Sequence, residues 1–288
     1  MRRLFSLSLL SFQGFLTLIQ ARPIEANLFL GPGYRVDNLH WNVHSAPVLN
    51  EVTEEKWKNL QIAELSGRLE ATIYSHFYLR AEGDYGWILA GNKTYDLDEI
   101  GSTVGDEWLK ASTRGDVYDV SGGVGYLASL FSNQFQITPL VGYSYSVQHF
   151  NDSHYRDIIH LLNVFEDATS SSTYQWNGPW LGLSLANLNR YINTSVEYQF
   201  HWSFYRGKVH DNLIDTYEEN QKKNYAYGNE FTLRLFSPEW RRLAIGLVGK
   251  YEFYNATKGQ STINGHKGTL NGIHWNSGSV SINLAYHF

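Results

Sequence analysis

The stretch SVSINLAYHF, residues 279–288, alternates almost without a break. Val280, Ile282, Leu284, Tyr286 and Phe288 are apolar or aromatic, and Ser279, Ser281, Asn283 and His287 between them are polar. A period of two marks a β-strand with two unlike faces. The same period recurs along the chain. FYLRAEGDYGWIL (77–89) sets Leu79, Tyr85, Trp87 and Leu89 against Arg80, Glu82 and Asp84. NTSVEYQFHWSF (193–204) sets Val196, Tyr198, Phe200, Trp202 and Phe204 against Glu197, Gln199 and His201. RLAIGLVGKYEF (242–253) sets Leu243, Ile245, Leu247 and Tyr251 against Lys250 and Glu252, and QFQITPLVGYSYSVQ (134–148) repeats the motif.

These segments predict an all-β chain of about ten strands, near 28–43, 57–73, 76–91, 113–131, 134–149, 173–187, 190–206, 222–236, 241–256 and 271–288. The connections alternate in length. Short ones fall around 75 and at 132–133, 187–189 and 237–241; long ones fall near 44–56, 92–112, 150–172, 207–221 and 257–270. Ser, Asn and Pro in the short ones suit tight turns. Short turns at one end and long loops at the other describe an up-and-down meander.

Composition narrows the class. The chain has 288 residues, a net charge of −5, no cysteine, 20 Tyr and 9 Trp. An acidic balance argues against a nucleic-acid partner. Without cysteine there is neither a disulfide framework nor a thiolate metal site. His149, His154 and His160 have poor spacing for a metal, and no helix follows the glycines of SGGVGY (121–126), so no metal or cofactor is expected. Gly122, Gly123 and Gly125 are read as room for curvature or bulky neighbours. At the N-terminus, Arg2 and Arg3 precede an apolar run from Leu4 to Ile19 and then Ala21. This is the layout of a secretory signal, which predicts cleavage after residue 21, with Ala26 as a second candidate, and a barrel over 22–288.

A soluble sandwich and an outer-membrane barrel place the two faces oppositely. In the membrane barrel the apolar row meets lipid and the polar row lines the interior. Many of the strands reach 13 or more residues, beyond the 9–11 or so that a tilted membrane strand needs. Aromatics sit near strand ends, at Trp57, Tyr85, Trp87, Tyr143, Tyr145, Trp202, Phe204, Tyr225 and Tyr227, as interfacial girdles do. Charges of both signs, Arg80, Glu82, Asp84, Glu197, Glu230, Arg234, Lys250 and Glu252, fall on the rows assigned to the lumen. Lipid cannot satisfy an open edge, so the sheet must close, the last strand pairing with the first. The fold predicted is a closed antiparallel transmembrane β-barrel of about ten strands.

Phe288 on an alternating strand resembles the C-terminal signature that bacterial outer-membrane barrels present to their assembly machinery. GYRVDNLHWNV (33–43), AEGDYGW (81–87), DVSGGVGY (119–126), TPLVGYSY (138–145), NGPWLGL (177–183) and FYRG (204–207) follow one another along the chain. In their order and spacing the chain from about residue 30 onward resembles the Protochlamydia-type outer-membrane proteins of environmental chlamydiae, and more distantly the omptins, ten-stranded outer-membrane proteases. It implies a bacterial outer-membrane location, with membrane lipid, lipopolysaccharide and the assembly machinery as partners.

Omptins place an Asp pair opposite a His–Asp pair at the extracellular end, where they activate a water by general-base catalysis. By that resemblance the candidates are Asp96 and Asp98 on one side and His210 and Asp211 on the other. The match departs from the family pattern: Glu99 follows Asp98 where omptins have Trp, and His210 and Asp211 are adjacent where omptins read D-x-H. The preferred function at this level is a structural, surface-exposed barrel or narrow pore. The alternative is an omptin-like endopeptidase, and a third is a binding barrel that works through its loops.

Overall fold

The computed structural model describes residues 24–44, 51–99, 107–131, 134–157, 168–211, 217–256, 259–263 and 266–288. The predicted signal segment, residues 1–21, lies outside them. The described residues form twelve strands: β1 (Ile24–His44), β2 (Glu51–Ile73), β3 (Phe77–Glu99), β4 (Glu107–Tyr126), β5 (Ala128–Leu130), β6 (Phe135–Asp157), β7 (Ser170–Asn187), β8 (Asn193–Asp211), β9 (Tyr217–Phe236), β10 (Leu243–Ala256), β11 (Gly259–Ile263) and β12 (His266–His287).

These twelve build ten staves. β5 continues β4 along β6, and β11 continues β10 between β9 and β12. Every stave pairs antiparallel with its chain neighbours, and β12 pairs with β1 to close the ring. The closing strand carries the alternating stretch SVSINLAYH, residues 279–287. Tyr286 faces Leu28, Leu284 faces Leu30 and Val280 faces Tyr34.

The turns at residues 74–76, 188–192 and 237–242, with Phe131 and Gln134, share one end of the barrel with Ile24 and Phe288. In outer-membrane barrels this short-turn end is periplasmic. The tightest of these turns is the two-residue loop Arg241–Arg242, flanked by reciprocal backbone bonds between Trp240 and Leu243. Both arginines have positive φ, 50° and 72°, the I′ geometry that matches the twist of a hairpin.

The staves run further than the alternation predicted. β2, β3, β4, β6, β8, β9 and the β10–β11 stave all extend into the stretches read as long loops. Strands of about 20 residues, tilted by about 40°, give a barrel about 50 Å tall, twice the roughly 25 Å apolar band of an outer membrane.

The outer surface changes character at half height. Along β12 the outward row reads Tyr286, Leu284, Ile282 and Val280, then Asn276 and His274. Along β8 it reads Val196, Tyr198, Trp202 and Phe204, then Arg206, Lys208 and His210. The inward row changes in the opposite sense. On β8, Glu197, Gln199, His201 and Ser203 give way to Tyr205 and Val209. The turn half therefore has the inverted polarity of a membrane barrel. The far half has the ordinary polarity of a barrel in water. The sequence reading expected apolar residues outward throughout, so the far half of each stave read as loop. Trp57 shows the same error: it is fully buried inside the barrel and belongs to no girdle.

Candidate functional site: the filled interior

In the membrane half the inward charges assigned from sequence all meet inside the barrel. Arg68 on β2 reaches across to Glu197 on β8 at 3.2 Å, and also holds Glu70 at 2.5 Å and Glu82 at 3.1 Å. Arg80 on β3 binds the other oxygen of Glu197, and Arg234 on β9 adds a third cation at 3.7 Å. Lys250 on β10 lies 3.0 Å from Asp84, 3.7 Å from Glu252 and 3.9 Å from Glu82. Glu230 accepts from Gln199 at 2.8 Å and lies 4.0 Å from the His201 ring.

Sequence reasoning missed six further members. Arg35 on β1 grips Asp37 in a bidentate pair and reaches Asp119 on β4 at 2.5 Å and Glu64 at 3.6 Å. Arg68 is the fifth and Glu70 the sixth. The signal was available. Arg35 and Asp37 interleave with Tyr34 and Val36, and Glu64 and Arg68 interleave with Leu65 and Leu69.

Trp180 closes this layer on one side. Its ring sits under the Arg80 guanidinium, 4.7 Å away, and its indole donates to Ser121 at 3.1 Å. It fits because its neighbours are bare. A Cβ on Gly123 or Gly142 would come within 2.6 Å or 2.3 Å of the indole. This is the bulky-neighbour reading of the SGGVGY glycines, realised at Gly123.

Above the charges lies an apolar layer to which all ten staves contribute. Leu39, Ile62, Ile88, Val117, Phe150, Tyr174, Tyr205, Ala226, Tyr254 and Trp275 are among its members. Aromatic rings span the lumen. Trp176 stands 4.6 Å from Tyr205, 5.6 Å from Tyr254 and 5.9 Å from Trp275. The Trp41 indole on β1 donates to the Tyr174 hydroxyl at 3.0 Å, from the opposite wall. Ring pairs at these separations are worth about 0.5–1.5 kcal/mol each beyond their buried area. The layers are stitched together: the Trp275 indole donates to Asp37 at 3.2 Å.

Beside this layer Lys93 is buried among Glu55 at 3.0 Å, Asp152 at 3.5 Å and the Trp57 ring at 4.9 Å. Asp152 accepts from Thr113 at 2.6 Å and from Trp57 at 3.2 Å. Burial pushes the Asp152 carboxyl above its ordinary range, against the pull of Lys93 and those two donors.

The catalytic candidates fall elsewhere. Asp96 and Asp98 lie on β3, paired through the backbone with Glu54 and Val52. His210 and Asp211 lie on β8, paired with Ser171 and Ser170. They are on strands, where the sequence reading had loops, and β4, β6 and β7 separate the two staves. His210 is exposed and shares the outward row of Trp202 and Phe204. Among the described residues no group of three acidic or histidine side chains converges as a metal site.

A closed ten-stave ring with an apolar outer belt, aromatic margins and a charged interior defines an outer-membrane β-barrel. Residues 29–288 match the model of the Pom family, Protochlamydia outer membrane protein, and the chain belongs to that family. No curated protein sequence matches it. Among solved structures, the outer membrane protease OmpT from Escherichia coli superposes with a TM-score of 0.74 at 14% identity, covering 92% of this chain and 97% of that one. At that identity the likeness is one of fold. The translocator domain of the autotransporter NalP from Neisseria meningitidis gives a TM-score of 0.43 at 9% identity, over 98% of this chain and 95% of that one.

Proposed function

We propose that this protein is a non-conducting structural barrel of the outer membrane, carrying a rigid sleeve of strand beyond the lipid on the cell surface. The observation that carries this reading is the filled interior. The apolar layer takes a side chain from every stave, and its largest members, Trp41, Trp57, Trp176 and Trp275, are at most 1% exposed. A ten-stranded barrel is only a little wider than the eight-stranded ones that side chains fill. Ordinary polarity in the outer half supports a sleeve that stands in water.

The partners in this reading are the lipids of both leaflets, with lipopolysaccharide on the outer one, and the assembly machinery. Phe288 is 58% exposed on the lipid-facing row and packs edge-on against Tyr286 at 4.8 Å, which suits a residue read from the membrane side. Liposome swelling tests the reading. Vesicles carrying the refolded barrel should shrink and stay shrunken in small sugars, as empty vesicles do. Re-swelling at the rate of a porin control would refute it.

A further inference from the structure

The interior charge does not balance. Among the described residues of the membrane-half network, nine carboxyls are joined by ion pairs or short contacts: Asp37, Glu64, Glu70, Glu82, Asp84, Asp119, Glu197, Glu230 and Glu252. Five permanent cations oppose them: Arg35, Arg68, Arg80, Arg234 and Lys250. The difference, nine less five, is four negative charges. An ionised carboxylate held away from water without a counter-charge costs several kcal/mol. Something besides this chain's own cations must offset the excess.

The excess is concentrated at one cavity. Its wall carries Glu82, Asp84, Asp119, Glu230 and Glu252 against Arg80 and Lys250. Arg80 is already committed to Glu197, and Asp119 to Arg35. Glu252, 3% exposed, lines this cavity, and its Oε2 has no hydrogen-bond partner. Ser121, Ser144 and Ser146 supply hydroxyls on the same wall. A second cavity, towards the turn end, shares Glu82, Asp84 and Lys250 with the first and is lined by Ser66, Ser279 and Asn283. Arg68 and Arg234 also line the second cavity, and the two cavities adjoin at the wall residues they share.

We propose that the cavity at Glu252, Glu230 and Asp84 binds a small monovalent cation, Na+ or K+, drawn in from the periplasm and held partly through water. Among the described residues no group of three His, Cys, Asp or Glu side chains is placed to chelate a metal ion, so water supplies most of the ligands in this proposal. The bound ion takes the place of a missing arginine in the network. It makes the stability of the barrel depend on which cation is present, independently of ionic strength.

The test uses the full refolded barrel in detergent micelles at about pH 8, where carboxyls in water are ionised. Unfolding temperature is followed by heat-modified gel mobility while N-methylglucamine chloride is replaced by NaCl or KCl at constant ionic strength. The expected result is a saturating rise of about 2–5 °C. In Glu252→Gln the midpoint of that rise should move at least tenfold to higher Na+ or K+. Equilibrium dialysis of wild-type protein against radiolabelled Na+ should show about one ion held per barrel, a readout that stands if the variant does not fold. Equal curves in all three salts, an unshifted midpoint in the variant, or no retained ion would each overturn the proposal. So would a barrel indifferent to Na+ and K+ that is stabilised by acidification, because protons would then carry the balance.

Discussion

The ammonium of Lys250 on β10 lies 3.0 Å from Oδ2 of Asp84 on β3, across the barrel and 166 residues away in sequence. The contact joins two walls that share no backbone bonds. Glu252 and Glu82 also lean on the same ammonium. Replacing Lys250 with Met should therefore cost about 3–5 kcal/mol, since buried carboxylates are left without their cation. Adding Asp84→Asn to that variant should restore part of the loss. Urea titration of the refolded barrel in lipid vesicles reads both.

The switch in outer-surface polarity predicts a depth rule. Ile282 and Asn276 lie on one outward row of β12, Ile282 in the lipid belt and Asn276 above it. Ile282→Arg should cost about 2–4 kcal/mol and Asn276→Arg about 0–1 kcal/mol. Similar costs at the two sites would mean that the membrane boundary has been drawn at the wrong height.

Above the lipid, Lys93 stands between Glu55 and Asp152 with almost no access to water. Lys93→Met should destabilise the sleeve by about 3–5 kcal/mol, and Lys93→Met with Glu55→Gln and Asp152→Asn should recover most of it. Hydrogen exchange of the far half of the barrel would localise the loss. A change confined to the turn half would contradict the assignment of Lys93 to the sleeve.

One pH effect has a definite sign. His274 stacks on His40 with ring centroids 5.8 Å apart on the outer face of the sleeve. Burial, and then the charge of His40, hold the His274 imidazole below its ordinary range. The unfolded chain therefore takes up that proton more readily. The contribution is fully present above the ordinary histidine value of about 6.5 and is lost as pH falls below it towards the folded value. Between about pH 7 and pH 5 the unfolding temperature of the wild type should fall relative to that of His274→Gln. An identical slope in the variant would assign the effect to other groups.

The membrane half was legible in the sequence because one period of two carried one meaning there. Leu284 out and Asn283 in, Tyr198 out and Glu197 in, follow directly from alternation. The sleeve was not legible because the meaning reverses without any break in period. Lys208 and Val209 alternate as cleanly as Tyr198 and Glu197, with the opposite face wet. Trp57 and Trp87 look alike as aromatics near strand ends, yet Trp57 is buried inside and Trp87 is half exposed outside. Only the register against neighbouring staves separates them. The site was half legible for a related reason. Charges such as Glu197 and Lys250 could be assigned to the lumen one strand at a time. That Arg68 on β2 meets Glu197 on β8 depends on ring closure, which no single strand encodes.

The central claim is that side chains close this barrel to ions. Single-channel recording of the purified, refolded protein in planar lipid bilayers tests it most directly. The account predicts a baseline indistinguishable from lipid alone for the wild type, and current steps only when the aromatic layer is cut, as in Trp176→Ala with Trp275→Ala. Steady, voltage-independent steps from the wild-type barrel would contradict it.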